Sequence, residues 1–193
     1  MAKLGIVKIK GEHDVNAYVV LCTVTREAVV IDPVEPTPKV LGQLGGLRVR
    51  WVVATHGHPG HLAGKSAVQE ATGALSAMHV ADAKSFLRSA DRYVVQDDEL
   101  EFGQQVLRVL HTPGHTAGSL CFVVGSHVFT GDTLLAGGIG RERPGTDLRQ
   151  QMISIGTQIA RLPPATAIYP GHGPVTNLEN EMRTSPVFQP VRR

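Results

Sequence analysis

At 193 residues, 42% of them hydrophobic, the chain has the length of one globular domain with a sizeable buried core. Its 19 basic and 17 acidic residues leave a formal charge of +2, and Lys and Arg are scattered, which argues against a nucleic acid or a membrane surface as partner. No apolar run is long enough to span a membrane, and the opening "MAKLGIVKIKGEHD" has neither an uninterrupted apolar stretch nor a small-residue cleavage site, so the expected location is the cytoplasm.

Three apolar, β-branched runs open the chain, at residues 4–10, 16–23 and 27–32, and are expected as successive strands of one sheet. The prolines of "PVEPTPKVLGQLGG" break that pattern, and a short helix ending at Gly45-Gly46 follows. "VRWVVAT" (49–55) reads as a buried strand running straight into "HGHPGH". "HLAGKSAVQEATG" has helical spacing and is stopped by Gly73. A short strand in "ALSAMHV" and a short helix through "ADAKSFLRSA" come next.

"DELEFGQQVLRVLHT" alternates as a hairpin pair, and "SLCFVVG" with "SHVFTGD" forms another, turning at Gly125-Ser126. Residues 146–162 give the clearest helix, capped by Thr146 or Asp147, with an apolar stripe at Leu148, Met152, Ile155, Ile159 and Leu162. "ATAIYPGHG" supplies a last strand and turn. The order fits two mixed sheets with helices packed outside. Cys22 and Cys121 lie in strand-like runs and are expected as buried free thiols.

Four segments repeat one arrangement: a strand, then a Gly- or Pro-containing turn that carries a metal-type ligand. They are "THGHPGH" (55–61), "HTPGHTAGS" (111–119), "FTGDTL" (129–134) and "YPGHGP" (169–174). Loops leaving strand ends in a layered sheet converge at one edge. The candidate ligands are therefore His56, His58, His61, His115, Asp132 and His172. Neutral imidazole and carboxylate suit Zn(II), and also Fe(II) or Mn(II). In His-x-His on an extended turn, residues two apart face the same side and reach one ion. His13, His79, His111 and His127 lack such partners and are expected as surface or structural groups.

These four motifs, with the run "GDTLLAGGIGRERPGTDL" and the ending "YPGHGPVTNLENEMRTSPVF", resemble the metallo-β-lactamase superfamily, and within it the short glyoxalase II-type hydrolases. The resemblance implies an αβ/βα four-layer sandwich over a single domain, residues 1–193. It implies a first metal held by His56, His58 and His115, a bridging Asp132, and a second metal held with His61 and His172. Asp132 and His61 take the catalytic roles, and Asp32 in "VVIDP" supports the site from behind. Arg141, just beyond Asp132, is expected to meet an anionic group of the substrate.

The family motif is His-x-His-x-Asp-His, and this chain has Gly60 at the aspartate position. The change removes one ligand of the second metal, which leaves one or two zinc ions per chain, or iron, as the expected cofactor. The resemblance implies a metal-activated water attacking a thioester or related acyl compound. A mononuclear iron site of His56, His115 and Asp132, as in persulfide dioxygenases, is the oxidative alternative. A hydrolytically impaired metal-binding scaffold is the third. The partner is a small acyl or thiol-derived molecule. Full-length glyoxalase II enzymes carry a further helical domain that binds glutathione, and the chain ends about where it would begin, which weighs against glutathione-thioester specificity.

Overall fold

The structure is a computed structural model and describes residues 3–189; residues 1, 2 and 190–193 of the expected domain lie outside the described residues. The opening β-branched runs form β1 (Leu4–Lys10), β2 (Asn16–Cys22) and β3 (Glu27–Ile31), an antiparallel meander. β4 (Arg48–Val53), β5 (Leu75–Met78) and β6 (Arg92–Tyr93) then add in parallel, completing a six-stranded sheet in sequence order.

The second six-stranded sheet contains β7 (Glu99–Phe102), β8 (Gln105–His111), β9 (Leu120–Val124), β10 (His127–Gly131), β11 (Ala167–Pro170) and β12 (Thr176–Asn177). It is antiparallel except for the β10–β11 pair. Both sheets are thus mixed, as the order of elements predicts. The helices are α1 (Thr37–Leu41), α2 (Pro59–Leu62), α3 (Lys65–Thr72), α4 (Val80–Ser85), α5 (Leu148–Ser154) and α6 (Leu178–Thr184). None of the described helices is long and apolar enough to cross a membrane.

Strand alternation sorts the core into layers. β9 is buried on both faces: Leu120 and Phe122 point between the sheets with Tyr18, Phe102 and Phe129, while Cys121 and Val123 point outward to Ile155 and Ile159. On the other side, Val19, Val30 and Val52 pack under Val40 of α1 and Val68 of α3. The result is helix, sheet, sheet, helix. Phe122 is fully buried at its centre, and truncation to alanine there costs about 3–5 kcal/mol. Cys22 and Cys121 are free and buried, as expected.

Three expectations shift. The helix of 146–162 starts at Leu148, capped by the Asp147 side chain accepting from the Gln150 amide, and passes into a π-helical turn over Ile155–Ile159. Its buried face carries Gln151 and Ser154, while Leu148 and Met152 are exposed. The reason is tertiary: this face covers loop carbonyls that need donors. Gln151 Nε2 donates to the carbonyls of Asp132 and Thr133, and Ser154 Oγ donates to that of Pro113. α1 stops at Leu41, before Gly45-Gly46. The helix expected from "HLAGKSAVQEATG" is split in two around Gly64, whose amide donates to the Pro33 carbonyl. β6, β12 and α6 were not anticipated.

Candidate metal centre

The loops leaving the C-terminal ends of β3, β4, β8, β10 and β11 meet at one edge of the two sheets. A seam pins that edge: the Asn16 amide donates to the Gly171 carbonyl, Tyr18 OH donates to Pro170 O at 2.7 Å, and Val15 bridges to His172. Gly171 is required there, because a Cβ would lie 2.5 Å from Asp132 Oδ1 and 2.8 Å from His61 Cε1. Gly57 is required between His56 and His58, because a Cβ would enter the Phe86 ring at 2.3 Å.

Asp32 organises the floor. Its buried carboxylate accepts from the Thr55 amide at 2.7 Å, from Thr55 Oγ1 at 2.6 Å and from His61 Nδ1 at 2.8 Å. Thr55 has one hydroxyl proton and gives it to Asp32. Its oxygen, 3.0 Å from His56 Nδ1, therefore accepts from that nitrogen. Both His56 and His61 are left with a bare Nε2.

The bare atoms converge. The donor atoms of His56, His58 and His115 lie within 4.8 Å of one another, and so do those of His61, Asp132 and His172. His115 Nε2 is 3.1 Å from His58 Nδ1 and 3.5 Å from Asp132 Oδ2, and His172 Nε2 is 3.6 Å from the same oxygen. Asp132 thus stands between the two groups. His56 Nε2 and Asp132 Oδ1 are buried without any hydrogen-bond partner. Buried polar atoms are nearly always paired, so lone pairs gathered this way fit a cation. Imidazole nitrogens and one carboxylate are the donor set of a divalent metal.

Electrostatics agree with neutral, coordinating imidazoles. Burial first, and then neighbouring histidines, hold His56 well below its ordinary value. Burial, His115 and the Arg143 charge push His58 down to about 4. Burial lowers His115 against the opposing pull of Asp132. His61 is the exception: burial works against its charge, but the carboxylates of Asp32 and Asp132 together outweigh it and raise the pKa.

Two residues that the sequence did not single out frame the centre. Asp82, buried in α4, accepts from the Gly57 amide, from Thr116 Oγ1 and from the Gly118 amide at 2.7–2.8 Å. It thereby ties the turn of His56 and His58 to the loop of His115. An isolated Asp in "HVADAK" gives no signal in sequence. Arg143 lines the cavity above the centre alongside Arg141. That cavity has a volume of about 670 Å³.

Of the predicted residues, His56, His58, His61, His115, Asp132 and His172 come together, Asp32 lies behind His61, and Arg141 is exposed at the rim. His111 stacks on His79 with ring centroids 4.2 Å apart, and His127 meets Tyr169 OH, both away from the centre. Exposed His13 sits at the cavity rim. Gly60 lines the cavity too, and a Cβ there would meet only Val15 Cγ2, at 3.4 Å. Neither space nor backbone demands glycine at position 60.

Fold and site together define a metallo-β-lactamase-type metal centre, and residues 11–172 match the Metallo-beta-lactamase superfamily. The chain belongs to that superfamily, and its αβ/βα sandwich is the one the motifs imply. It is 35% identical over 181 residues to a hydroxyacylglutathione hydrolase of Polaromonas sp., an alignment covering 90% of this chain and 66% of that protein. The chain thus spans just under two thirds of that relative's length. The structure is similar to that of ETHE1 from Myxococcus xanthus, with a TM-score of 0.87 and 34% identity over 94% of this chain and 83% of that one. It is also similar to TTHA1623 in a di-iron-bound form, with a TM-score of 0.79 and 32% identity, covering 94% and 98% of the two chains.

Proposed function

We propose that the protein is a metal-dependent hydrolase of thioesters or related acyl compounds. The observation that carries this reading is Asp132, set between two groups of converging imidazoles at the base of a substrate-sized cavity. Similarity to a hydroxyacylglutathione hydrolase supports the reaction class.

In this reading His56, His58 and His115 hold the first ion, and His61 and His172 hold a second with Asp132 shared between them. Zinc is the proposed metal, with the second ion bound more weakly because position 60 offers no ligand. When bound, the metal polarises the substrate carbonyl and lowers the pKa of a water to about 7. The chain's own residues supply the rest. Asp32 fixes the ring of His61 directly and that of His56 through Thr55, so the bare nitrogens are set before metal arrives. With no carboxylate at position 60, Asp132 is the one carboxylate facing both groups and takes the role of orienting the attacking water toward the carbonyl. Arg141 at the rim meets an anionic group of the substrate.

The test is hydrolysis of S-lactoylglutathione and simple acyl thioesters by the zinc-loaded protein and by Asp132→Asn. Turnover that falls about 100-fold or more in the variant supports the reading. Absence of turnover on every thioester, or turnover indifferent to Asp132, contradicts it.

A further inference from the structure

We propose that Phe86 is a positioning residue for His58: its ring, in place of a hydrogen bond, holds the His58 imidazole in the orientation that reaches the first ion. The inference rests on the metal-centre reading for the ion, but the ring contact it asserts is tested without one.

The need comes from how the ligands are held. His61 is set by Asp32 directly, and His56 through Thr55. His58 is half-buried and meets the centre through Nδ1, 3.1 Å from His115 Nε2. Among the described residues, no side chain or carbonyl is hydrogen-bonded to its other nitrogen. An imidazole without such a partner turns about χ1 and χ2, and metal that has to order it binds more weakly.

What stands against the His58 ring is Phe86. The two ring centroids are 5.1 Å apart and the planes cross at 73°, an edge-to-face pair. The same phenyl ring closes on the backbone between the two ligands. A Cβ at position 57 would lie 2.3 Å from Phe86 Cδ2 and 2.8 Å from its Cγ, so glycine there is what admits the ring.

The end of α4 delivers it. Asp82 and Phe86 are four residues apart, the spacing that brings two side chains onto one face of a helical turn. Asp82 accepts from the Gly57 amide at 2.7 Å, and Phe86 meets the next imidazole. One element thus holds the backbone of the His-x-His turn with a carboxylate and its second ligand with an aromatic ring. The Phe86 amide donates to the Asp82 carbonyl at 3.0 Å, and the Arg88 amide donates to the Ala83 carbonyl at 2.8 Å. Leu87, between them, has a φ of 50°, a left-handed turn that suits glycine, and its own side chain is 93% exposed. Leu87 gains no packing from that backbone; the turn ends α4 with Phe86 seated on His58.

The test reads the ring and the metal separately. In metal-free wild type, three-bond couplings measured by NMR are expected to show one χ1 rotamer for His56 and one for His58. Phe86→Leu keeps apolar bulk and removes the ring. It is expected to average the couplings of His58 and to leave those of His56 unchanged, which a general loosening of the packing would not do. Affinity for the first equivalent of zinc, by competition with a chelator, is expected to fall about 10-fold or more. Phe86→Tyr is expected to restore the single rotamer and to bring the affinity back to within about threefold. Leu87→Gly, which keeps the left-handed turn, is expected to change neither. An averaged His58 in the wild type, a single His58 rotamer in Phe86→Leu, loosening of His56 and His58 together, unchanged affinity, or a tyrosine variant no better than the leucine one overturns the assignment. If the wild type binds no zinc, the metal reading fails while the couplings still decide whether Phe86 sets the ring.

Discussion

Asp32 sets the tautomer of His56 without touching it. The hydroxyl of Thr55 stands between them, 2.6 Å from Asp32 Oδ2 and 3.0 Å from His56 Nδ1, and passes the polarity of the carboxylate on to the ring. Thr55→Val keeps the shape and removes the relay. Metal affinity at the proposed first ion is expected to fall about 10- to 100-fold, measured by competition with a chromophoric chelator. Thr55→Ser is expected to restore most of it. Equal affinities in all three proteins would remove the relay from the account.

Asp82 offers a second, independent test. It is buried, and three donors from two different loops converge on it. Asp82→Ala strands those donors, and a loss of about 3 kcal/mol or more is expected in chemical denaturation. In Asp82→Asn, the part of that loss tied to the centre should appear as weaker metal binding, because the turn of His56 and His58 loses its tie to the loop of His115. A variant with wild-type stability would mean that the clamp contributes nothing.

Gly60→Asp probes the open position. The new side chain has room beside Val15, so the metal-free variant is expected to melt within about 2 °C of the wild type. A carboxylate added next to His61 supplies one more oxygen donor, and the second equivalent of zinc should bind at least about 10-fold more tightly by calorimetry. An unchanged second equivalent would show that His61, Asp132 and His172 are not a metal site in need of that donor.

Acid sensitivity of the metal-free protein follows from the centre. Burial holds His56, His58 and His115 below the ordinary value of 6.5, His58 at about 4. Between those limits the unfolded chain binds more protons than the folded one, so stability falls as pH falls. His61 acts in the opposite sense. Its raised pKa adds stability below 6.5 that is lost as pH rises through the folded value. Below 6.5 the His61 contribution is constant, so His56, His58 and His115 set the slope and the melting temperature should drop from pH 6.5 to 4. A flat or rising profile contradicts the neutral-imidazole arrangement.

Much of this was legible in the sequence because it follows short periodicities. Strand alternation gave both sheets, and the Gly and Pro turns after strands gave all six residues that now converge. What stayed hidden depends on tertiary contacts. The stripe on α5 failed at Leu148 and Met152 because Gln151 and Ser154 are drawn inward by loop carbonyls from other parts of the chain. Asp82 lies 25 residues from Gly57 and 36 from Gly118, and no local pattern marks a carboxylate whose donors are that remote. Arg143 stands in no motif of the loop after Asp132, and its anchoring through Thr146 to His115 required coordinates.

The most direct test is the metal content of protein purified without chelator or added metal, read by elemental analysis beside His115→Ala. The expected result is about one zinc ion per chain in the wild type, rising toward two with excess zinc, and little retained in the variant. A wild type that holds no metal even after zinc loading contradicts the account at its centre, and a wild type that holds iron in place of zinc contradicts the proposed metal and favours the oxidative alternative.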